Sequence, residues 1–291
     1  LLLLIGSSSK EPFSINAIDT RSGTSVWSYK GNEMQGATIG CVELFGPNQD
    51  MLLISAKDRP TINMIAVNAR DRFHIKSVLN NPVNFIKAVP DGSVICGAST
   101  GELVSTIEGY HRKITCICLN SDGSMLFCGA EDGFLPDIHL LFSNVHSLAV
   151  KTICVTKNSN TRILSCSLDH TVALYSLNMG GCILKISGDR PFTCCLINPS
   201  ESSIFLGTDR GDVLQVDLYS LKDKDRCIIV TGEKSNFPIF RGHKSEIQQF
   251  DINFDGSLLS SGDVLGYYFI WDIRSTQNLK NGLAKGKFSN F

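Results

Sequence analysis

His146, Asp169 and the serines at 165 and 167 are the residue types of a nucleophilic triad. In such a triad a hydroxyl attacks, an imidazole takes its proton, and a carboxylate fixes the imidazole. The segment SCSLDHTVALYSL (165–177) carries Ser165, Ser167, Asp169, Thr171 and Tyr175 in that order. The same set has a purely structural reading. A histidine, a hydroxyl, a turn aspartate and an aromatic satisfy one another's hydrogen bonds, and each polar group left unpaired in a core costs about 1–3 kcal/mol. No Gly-x-Ser-x-Gly elbow of the hydrolase kind is present. The structural reading is therefore the favoured one, and substituting Asp169 is expected to cost stability rather than turnover.

A second set lies in FRGHKSEIQQFDINFDGSLLSSGDVLGYYFIWDIR (240–274), where His243, Ser261, Trp271 and Asp272 fall in the same order. Here Leu265 stands where the turn aspartate belongs, and Asp263 lies two residues earlier. Either Asp263 reaches His243 from a shifted turn, or the set is incomplete.

Other chemistries find little support. There is no Gly-x-Gly-x-x-Gly and no Walker-type lysine to cradle phosphates. The six histidines show no metal-ligand spacing, and His74, His111 and His139 are expected to be ordinary residues. Eleven cysteines form an odd set without Cys-x-x-Cys. Cys116, Cys118, Cys194 and Cys195 fall in apolar runs, where thiols act as small apolar side chains. No cofactor and no metal are expected. With 27 basic against 28 acidic residues, any nucleic-acid contact would be a local patch. The opening LLLLI has no basic flank and is too short for a signal or a membrane span, so it reads as a buried strand.

The elements that must position these residues are strands. Short apolar and β-branched runs recur, separated by Gly, Asp, Asn and Ser, and helical periodicity is nearly absent. Six copies of one form follow each other: an apolar strand, a Pro/Asx/Gly turn, and a strand ending in small residues. They cover 37–56, 83–99, 114–133, 150–170, 192–211 and 247–266. Their turns, at Asp91, Asp122, Asn160, Ser200 and Asp255, are 31, 38, 40 and 55 residues apart. A WD repeat runs about 40 to 45 residues, and Gly242-His243 with Trp271-Asp272 brackets one such repeat.

The fold class expected is all-β, one WD-repeat β-propeller domain over 1–291. Its blade-like units lie at about 1–31, 37–75, 83–108, 113–142, 149–185, 191–230 and 246–282. Seven blades result if the strand starting at 286–291 pairs with the N-terminal strands, leaving a truncated closure. Blades near 95–110 and 130–146 are expected to be three-stranded or irregular, and Pro136 would break a central strand. About twenty extra residues, YSLKDKDRCIIVTGEKSNFPI, separate VLQVDL from FRGH. They make either a solvated loop with one extra strand or a partner-contact loop, whose candidate residues are Lys222, Lys224, Arg226 and Phe237.

Carried on RSGTSVWSYKG, SCSLDHTVALYSL, FLGTDRGDVLQVDL, the insertion before FRGHKSEI, and NLKNGLAKGKFSNF, the chain resembles the WD repeat-containing protein 18 family. The likeness runs from about residue 14 to 291 and is strongest over 160–291. The resemblance implies a non-enzymatic scaffold in large ribosomal subunit maturation and pre-rRNA spacer processing, located in nucleus and nucleolus. It implies as partners a Rix-type helical-repeat scaffold protein, a TEX10-like protein, the midasin AAA ATPase and the pre-60S particle. A role in replication licensing is implied as well. Two other readings stand beside it: a WD scaffold of another pathway, such as a ubiquitin-ligase substrate receptor, and a propeller hydrolase using Asp169 and His146.

Overall fold

The computed structural model describes residues 2–7, 13–22, 24–31, 37–45, 50–56, 60–67, 74–78, 83–88, 94–98, 114–131, 135–136, 141–142, 145–158, 160–221, 227–230, 237–283 and 287–290. Among them every regular element is a strand. The chain divides into two compact units, Leu1–Thr106 with Ala284–Phe291, and Ile107–Leu283.

In the first unit, β1 (Leu2–Ser7), β2 (Phe13–Ile18) and β3 (Ser25–Gly31) form an antiparallel meander. The C-terminal strand β27 (Lys287–Asn290) pairs antiparallel with β1, so the order is β27-β1-β2-β3. Leu2–Ile5 therefore lies in a sheet, paired with β2 throughout, while β27 meets β1 only at Ile5, Gly6 and Ser7. A second meander takes β4 (Ala37–Phe45), β5 (Met51–Ala56), β6 (Thr61–Ala66) and β7 (His74–Val78), and β8 (Val83–Ala88) with β9 (Val94–Ala98) makes a hairpin. Leu53, Val83 and Ile86 are buried together at the join of these two sheets.

In the second unit, β10 (Ile114–Leu119) and β11 (Leu126–Ala130) form one hairpin, and the two-residue strands β12 (Leu135–Pro136) and β13 (Leu141–Phe142) form another. Pro136 is thus at a short, isolated pairing, as a residue without an N–H requires. The remainder of the irregular stretches, 99–113, 132–134, 137–140 and 143–144, lies outside the described residues. Three fuller sheets follow. The first holds β14 (Val150–Val155), β15 (Arg162–Ser167), β16 (Thr171–Ser176) and β17 (Gly181–Gly188). The second is β18 (Phe192–Ile197), β19 (Ser203–Thr208) and β20 (Val213–Asp217); the insertion that follows holds β21 (Cys227–Val230), and β22 (Ile239–Phe240) completes this sheet. The third is β23 (Ile247–Ile252), β24 (Leu258–Asp263), β25 (Tyr267–Asp272) and β26 (Asn278–Leu283).

In the second unit the first strand of each repeat carries one extra residue near its start, a β-bulge: Thr115 in β10, Lys151 in β14, Thr193 in β18 and Gln248 in β23. The bulge re-aims a side chain, and two of the four are threonines that reach the next sheet. Thr115 Oγ1 donates to the Val150 carbonyl at 2.5 Å and Thr193 Oγ1 to the Ile247 carbonyl at 2.6 Å. Thr152, one residue past its bulge, donates to the Thr193 carbonyl at 3.2 Å. These bonds link β10, β14, β18 and β23 in succession. Thr193→Val is expected to cost about 1–3 kcal/mol, because it keeps the volume and leaves a buried carbonyl unpaired. A lower denaturant midpoint at constant m-value would register it.

The small residues that end the second strands follow from the same place. Gly129 and Gly207 lie opposite Cys116 and Cys194, just past the bulge. A methyl group on Gly207 would stand 2.7 Å from Cys194 Sγ and 2.9 Å from Ile247 Cβ, and one on Gly129 2.7 Å from Cys116 Sγ and 2.9 Å from Val150 Cβ. Neither neighbour is the end of a flexible side chain. Gly207→Ala should therefore lower stability by about 1–3 kcal/mol through overpacking, seen as a reduced melting temperature.

One expected unit is built differently. The stretch 191–230 does not close on itself: Cys227–Val230 leaves its own sheet and pairs parallel to β17, Lys185 opposite Cys227 through Gly188 opposite Val230. The preceding sheet becomes five-stranded, and β20 receives only the two-residue β22 and a bond from Gln215 N to the Pro238 carbonyl at 3.0 Å. Having spent its length on the neighbouring edge, the insertion returns with little chain left to cover β20. It covers an open edge of β17 that would otherwise offer unpaired backbone groups. Leu218, Leu221, Phe237 and Ile239 at its two ends pack on the core formed by Leu164, Leu174, Leu206 and Leu214.

Candidate functional site

The polar set at 165–177 is assembled by three pieces of chain: the segment before β14, the end of β15, and the turn into β16. His146 Nε2 lies 2.8 Å from Ser165 Oγ, and its Nδ1 lies 2.9 Å from Thr171 Oγ1 and 3.2 Å from Asp169 Oδ2. Asp169 is filled by further donors, Thr171 N at 2.9 Å, Thr171 Oγ1 at 2.7 Å and Ser147 N at 2.9 Å. The geometry has the connectivity of a triad. However, Ser165 is fully buried and His146 nearly so, leaving no room for a substrate carbonyl at the hydroxyl. Tyr175, placed by sequence where a tryptophan would fit, is buried and hydrogen-bonds the Cys182 thiol.

The second set is tighter. His243 Nε2 lies 2.7 Å from Ser261 Oγ, and Trp271 Nε1 donates to the same oxygen at 2.8 Å. His243 Nδ1 lies 2.9 Å from Asp263 Oδ2. The network fixes one pattern of protons: the indole N–H fills one lone pair of Ser261, the hydroxyl donates to Nε2, and Nδ1–H donates to the carboxylate. Asp263 Oδ1 also accepts from Leu265 N at 3.0 Å and Tyr267 N at 2.9 Å. The shifted aspartate thus does two tasks, holding the histidine and closing the turn. Asp263 is the last residue of β24, whereas Asp169 lies in the turn two residues past the end of β15, so the two carboxylates reach their histidines from different backbone positions. Leu265, relieved of that task, is exposed.

Asp272 does not join this set, contrary to the order read from the sequence. It caps its own turn, accepting from Ser275 N at 3.0 Å and Ser275 Oγ at 2.5 Å, and these bonds hold its carboxyl below the usual range. In β25 the neighbours Trp271 and Asp272 point to opposite faces, so only the tryptophan can enter the core. Its ring stacks on Phe269 at 5.1 Å and meets Phe240 edge-on at 5.6 Å. Gly242 lies against both rings of this stack, since a methyl there would come within 2.6 Å of Phe269 and 2.8 Å of Trp271. The Gly-His pair is therefore a requirement for flat packing followed by a buried acceptor.

Burial is the main cause that pushes His146 and His243 below their ordinary value, against the pull of Asp169 and Asp263. Both rings are thus kept neutral in the fold, while the unfolded chain takes up protons near pH 6.5. Below that pH the unfolded state binds protons that the folded state refuses, so the stability present above about pH 6.5 is lost as the pH falls toward the depressed folded values. Asp169 is opposed by burial, yet the bonds from Thr171 and Ser147 lower it overall, so its contribution is held above its ordinary value and lost in stronger acid. Urea midpoints measured at pH 7.5, 6.5 and 5.5 should fall in that order, and His146→Gln with His243→Gln should flatten the profile.

Among the described cysteines Cys128, Cys166, Cys194 and Cys195 are buried, Cys116, Cys118 and Cys154 are half-buried, and Cys182 is exposed. Burial pushes the Cys116 thiol up to about 12 and raises Cys194 and Cys195 well above the usual thiol range, so these thiols stay protonated and poorly reactive. Among the described residues no group of three or more His, Cys, Asp and Glu is placed to hold a metal. Lys222, Lys224 and Arg226 lie outside the described residues, and Phe237 is half-buried against the core rather than presented to solvent.

Four-stranded antiparallel sheets, bulged first strands and two buried His–Ser–Asp sets, one of them completed by a tryptophan, define a WD-repeat protein of the β-propeller class. The model of the WD domain, G-beta repeat, matches residues 101–135 and 234–272. Pre-rRNA-processing protein pro-1 of Caenorhabditis elegans is 39% identical over 308 residues, covering 96% of this chain and 58% of that protein. WD repeat-containing protein 18 of Homo sapiens is 23% identical, covering 94% of this chain and 68% of its own length. Pre-rRNA-processing protein IPI3 of Yarrowia lipolytica is also 23% identical, over 90% of this chain and 68% of that protein. Over nearly its whole length the chain is similar to pre-rRNA-processing proteins and to proteins named WD repeat-containing protein 18. It spans somewhat under two thirds of the length of its pro-1 relatives.

Proposed function

We propose that this protein acts in pre-rRNA processing as a non-enzymatic scaffold of large ribosomal subunit maturation, in the nucleus and nucleolus. The observation that carries the reading is the 39% identity to a pre-rRNA-processing protein across 96% of the chain. Burial of both triad-like serines supports a scaffold over a hydrolase, because an attacking hydroxyl must reach its substrate. In finer terms, the partners are a Rix-type helical-repeat scaffold protein, a TEX10-like protein, the midasin AAA ATPase and the pre-60S particle. The activity supported is removal of a pre-rRNA spacer, and replication licensing is a second role. The insertion 219–239 is the proposed partner-contact region, with Lys222, Lys224 and Arg226 between a stem packed on the core and the added strand β21.

The test is affinity purification of the protein from cells, with mass spectrometry of the proteins and analysis of the RNA. Recovery of large-subunit precursors with a helical-repeat protein is expected. Recovery of a cullin adaptor without such precursors would contradict the proposal.

A further inference from the structure

Among the described residues, the three most exposed large apolar side chains of the second unit share one end of it. They are Phe254 at 98%, Tyr219 at 79% and Met179 at 75% exposure. Each stands at a turn distant from the His–Asp sets, and the turns touch in series. Leu177 N bonds the Thr161 carbonyl, tying the turn of Met179 to the β14–β15 turn. Asn158 Nδ2 and Arg162 then reach Glu201, at 2.7 and 3.3 Å, joining that turn to 198–203. Leu218 N bonds the Ser202 carbonyl, which places Tyr219 beside the same turn. Gly256 lies against Asn198, which brings in the turn of Phe254.

Phe254 is not needed by its own turn. Asn253 accepts from Leu258 N at 2.8 Å and donates to Ser257 at 2.9 Å, while Asp255 accepts from Ser257 N at 3.0 Å. The turn 120–125 makes the same three bonds at 2.8, 3.0 and 3.0 Å, with Ser121 in the place of Phe254. A ring in water at a position that serine fills equally well has its explanation outside the fold. The charge around it is acidic. Asp217 precedes Tyr219 by two residues, Asp255 adjoins Phe254, and Asp272 lies on the next turn, joined by the Ile273 N bond to the Ser257 carbonyl. On these turns Arg162 is taken up by Glu201, Lys157 lies near Asp251, and the exposed Arg274 lies near Asp272, which leaves Asp217 and Asp255 as the acids nearest the two rings.

We propose that this end of the second unit is a protein-docking surface for a lysine- and arginine-rich amphipathic segment. Its apolar side chains would cover Met179, Tyr219 and Phe254 while its cations face Asp217 and Asp255. The inference rests on the scaffold reading and extends its contact surface from Tyr219, where the insertion begins, to the neighbouring turns of Met179 and Phe254.

The probe is a fluorescent amphipathic helix of lysine, leucine and phenylalanine, titrated into the full chain and followed by anisotropy. Its glutamate counterpart and a lysine–glutamine peptide without apolar residues are the controls. Binding of the first peptide alone is expected, weakened at least tenfold in Tyr219→Ser/Phe254→Ser, with an unchanged melting temperature because Ser121 already occupies the place of Phe254 and Tyr219 is exposed. Equal binding by that variant, equal binding of the glutamate peptide, or no binding of the lysine peptide would overturn the proposal. So would displacement by an RNA oligonucleotide, which would make the face a nucleic-acid site, or a variant that loses self-association, which would make the occupant a second copy. If depletion of the protein disturbs pre-rRNA and the double variant restores it fully, the scaffold reading stands and this surface falls.

Discussion

Asp263→Ala is expected to destabilise the second unit by about 3–5 kcal/mol. The carboxylate is buried and serves three donors, His243 Nδ1, Leu265 N and Tyr267 N. Removing it strands all three, each at a cost of about 1–3 kcal/mol less whatever water can recover. The same chain supplies a rescue. In the turn 167–171 a serine and an aspartate stand where Asp263 and Leu265 stand in 263–267, and that arrangement also holds a histidine. Asp263→Ser with Leu265→Asp should therefore recover most of the loss. Chemical denaturation of the three proteins decides it: a double variant no more stable than Asp263→Ala would show that the two turns are not interchangeable.

Trp271→Ala should cost a similar amount, about 3–5 kcal/mol, as for other buried aromatics. The ring is among the largest fully buried side chains, stacks on Phe269 and meets Phe240. Its N–H also fills Ser261, so the truncation opens a cavity and loosens the hydroxyl that holds His243. Trp271→Phe separates the two effects. It should keep most of the packing and lose about 1 kcal/mol for the missing bond. A melting temperature for Trp271→Phe as low as for Trp271→Ala would mean that the hydrogen bond, not the packing, governs.

Much of the fold was legible because each repeat obeys steric rules that leave marks. Gly129 and Gly207 appear as small residues because no Cβ fits beside the bulge. Asn120 and Asn253 mark turns because their side chains close them. The polar sets were legible by order, and Asp263 could be named as the substitute for a missing aspartate at 265. What order could not distinguish was Asp272 from Trp271: adjacent residues in a strand face opposite ways, and only the register shows which enters the core. The bulge threonines left no mark, since Thr115 and Thr193 look like ordinary strand residues until the next sheet is in place. Nor could the destination of Cys227–Val230 be read, because a parallel pairing with the preceding sheet depends on a non-local edge.

We propose that this protein serves pre-rRNA processing without catalysing it. The direct measurement is pulse-labelled rRNA in cells depleted of the protein and complemented with either the natural chain or Ser165→Ala/Ser261→Ala, at matched protein levels. Spacer-containing precursors of the large subunit should accumulate on depletion, and both chains should clear them. Unchanged precursor levels on depletion would contradict the role in processing, and clearance by the natural chain alone would contradict the scaffold.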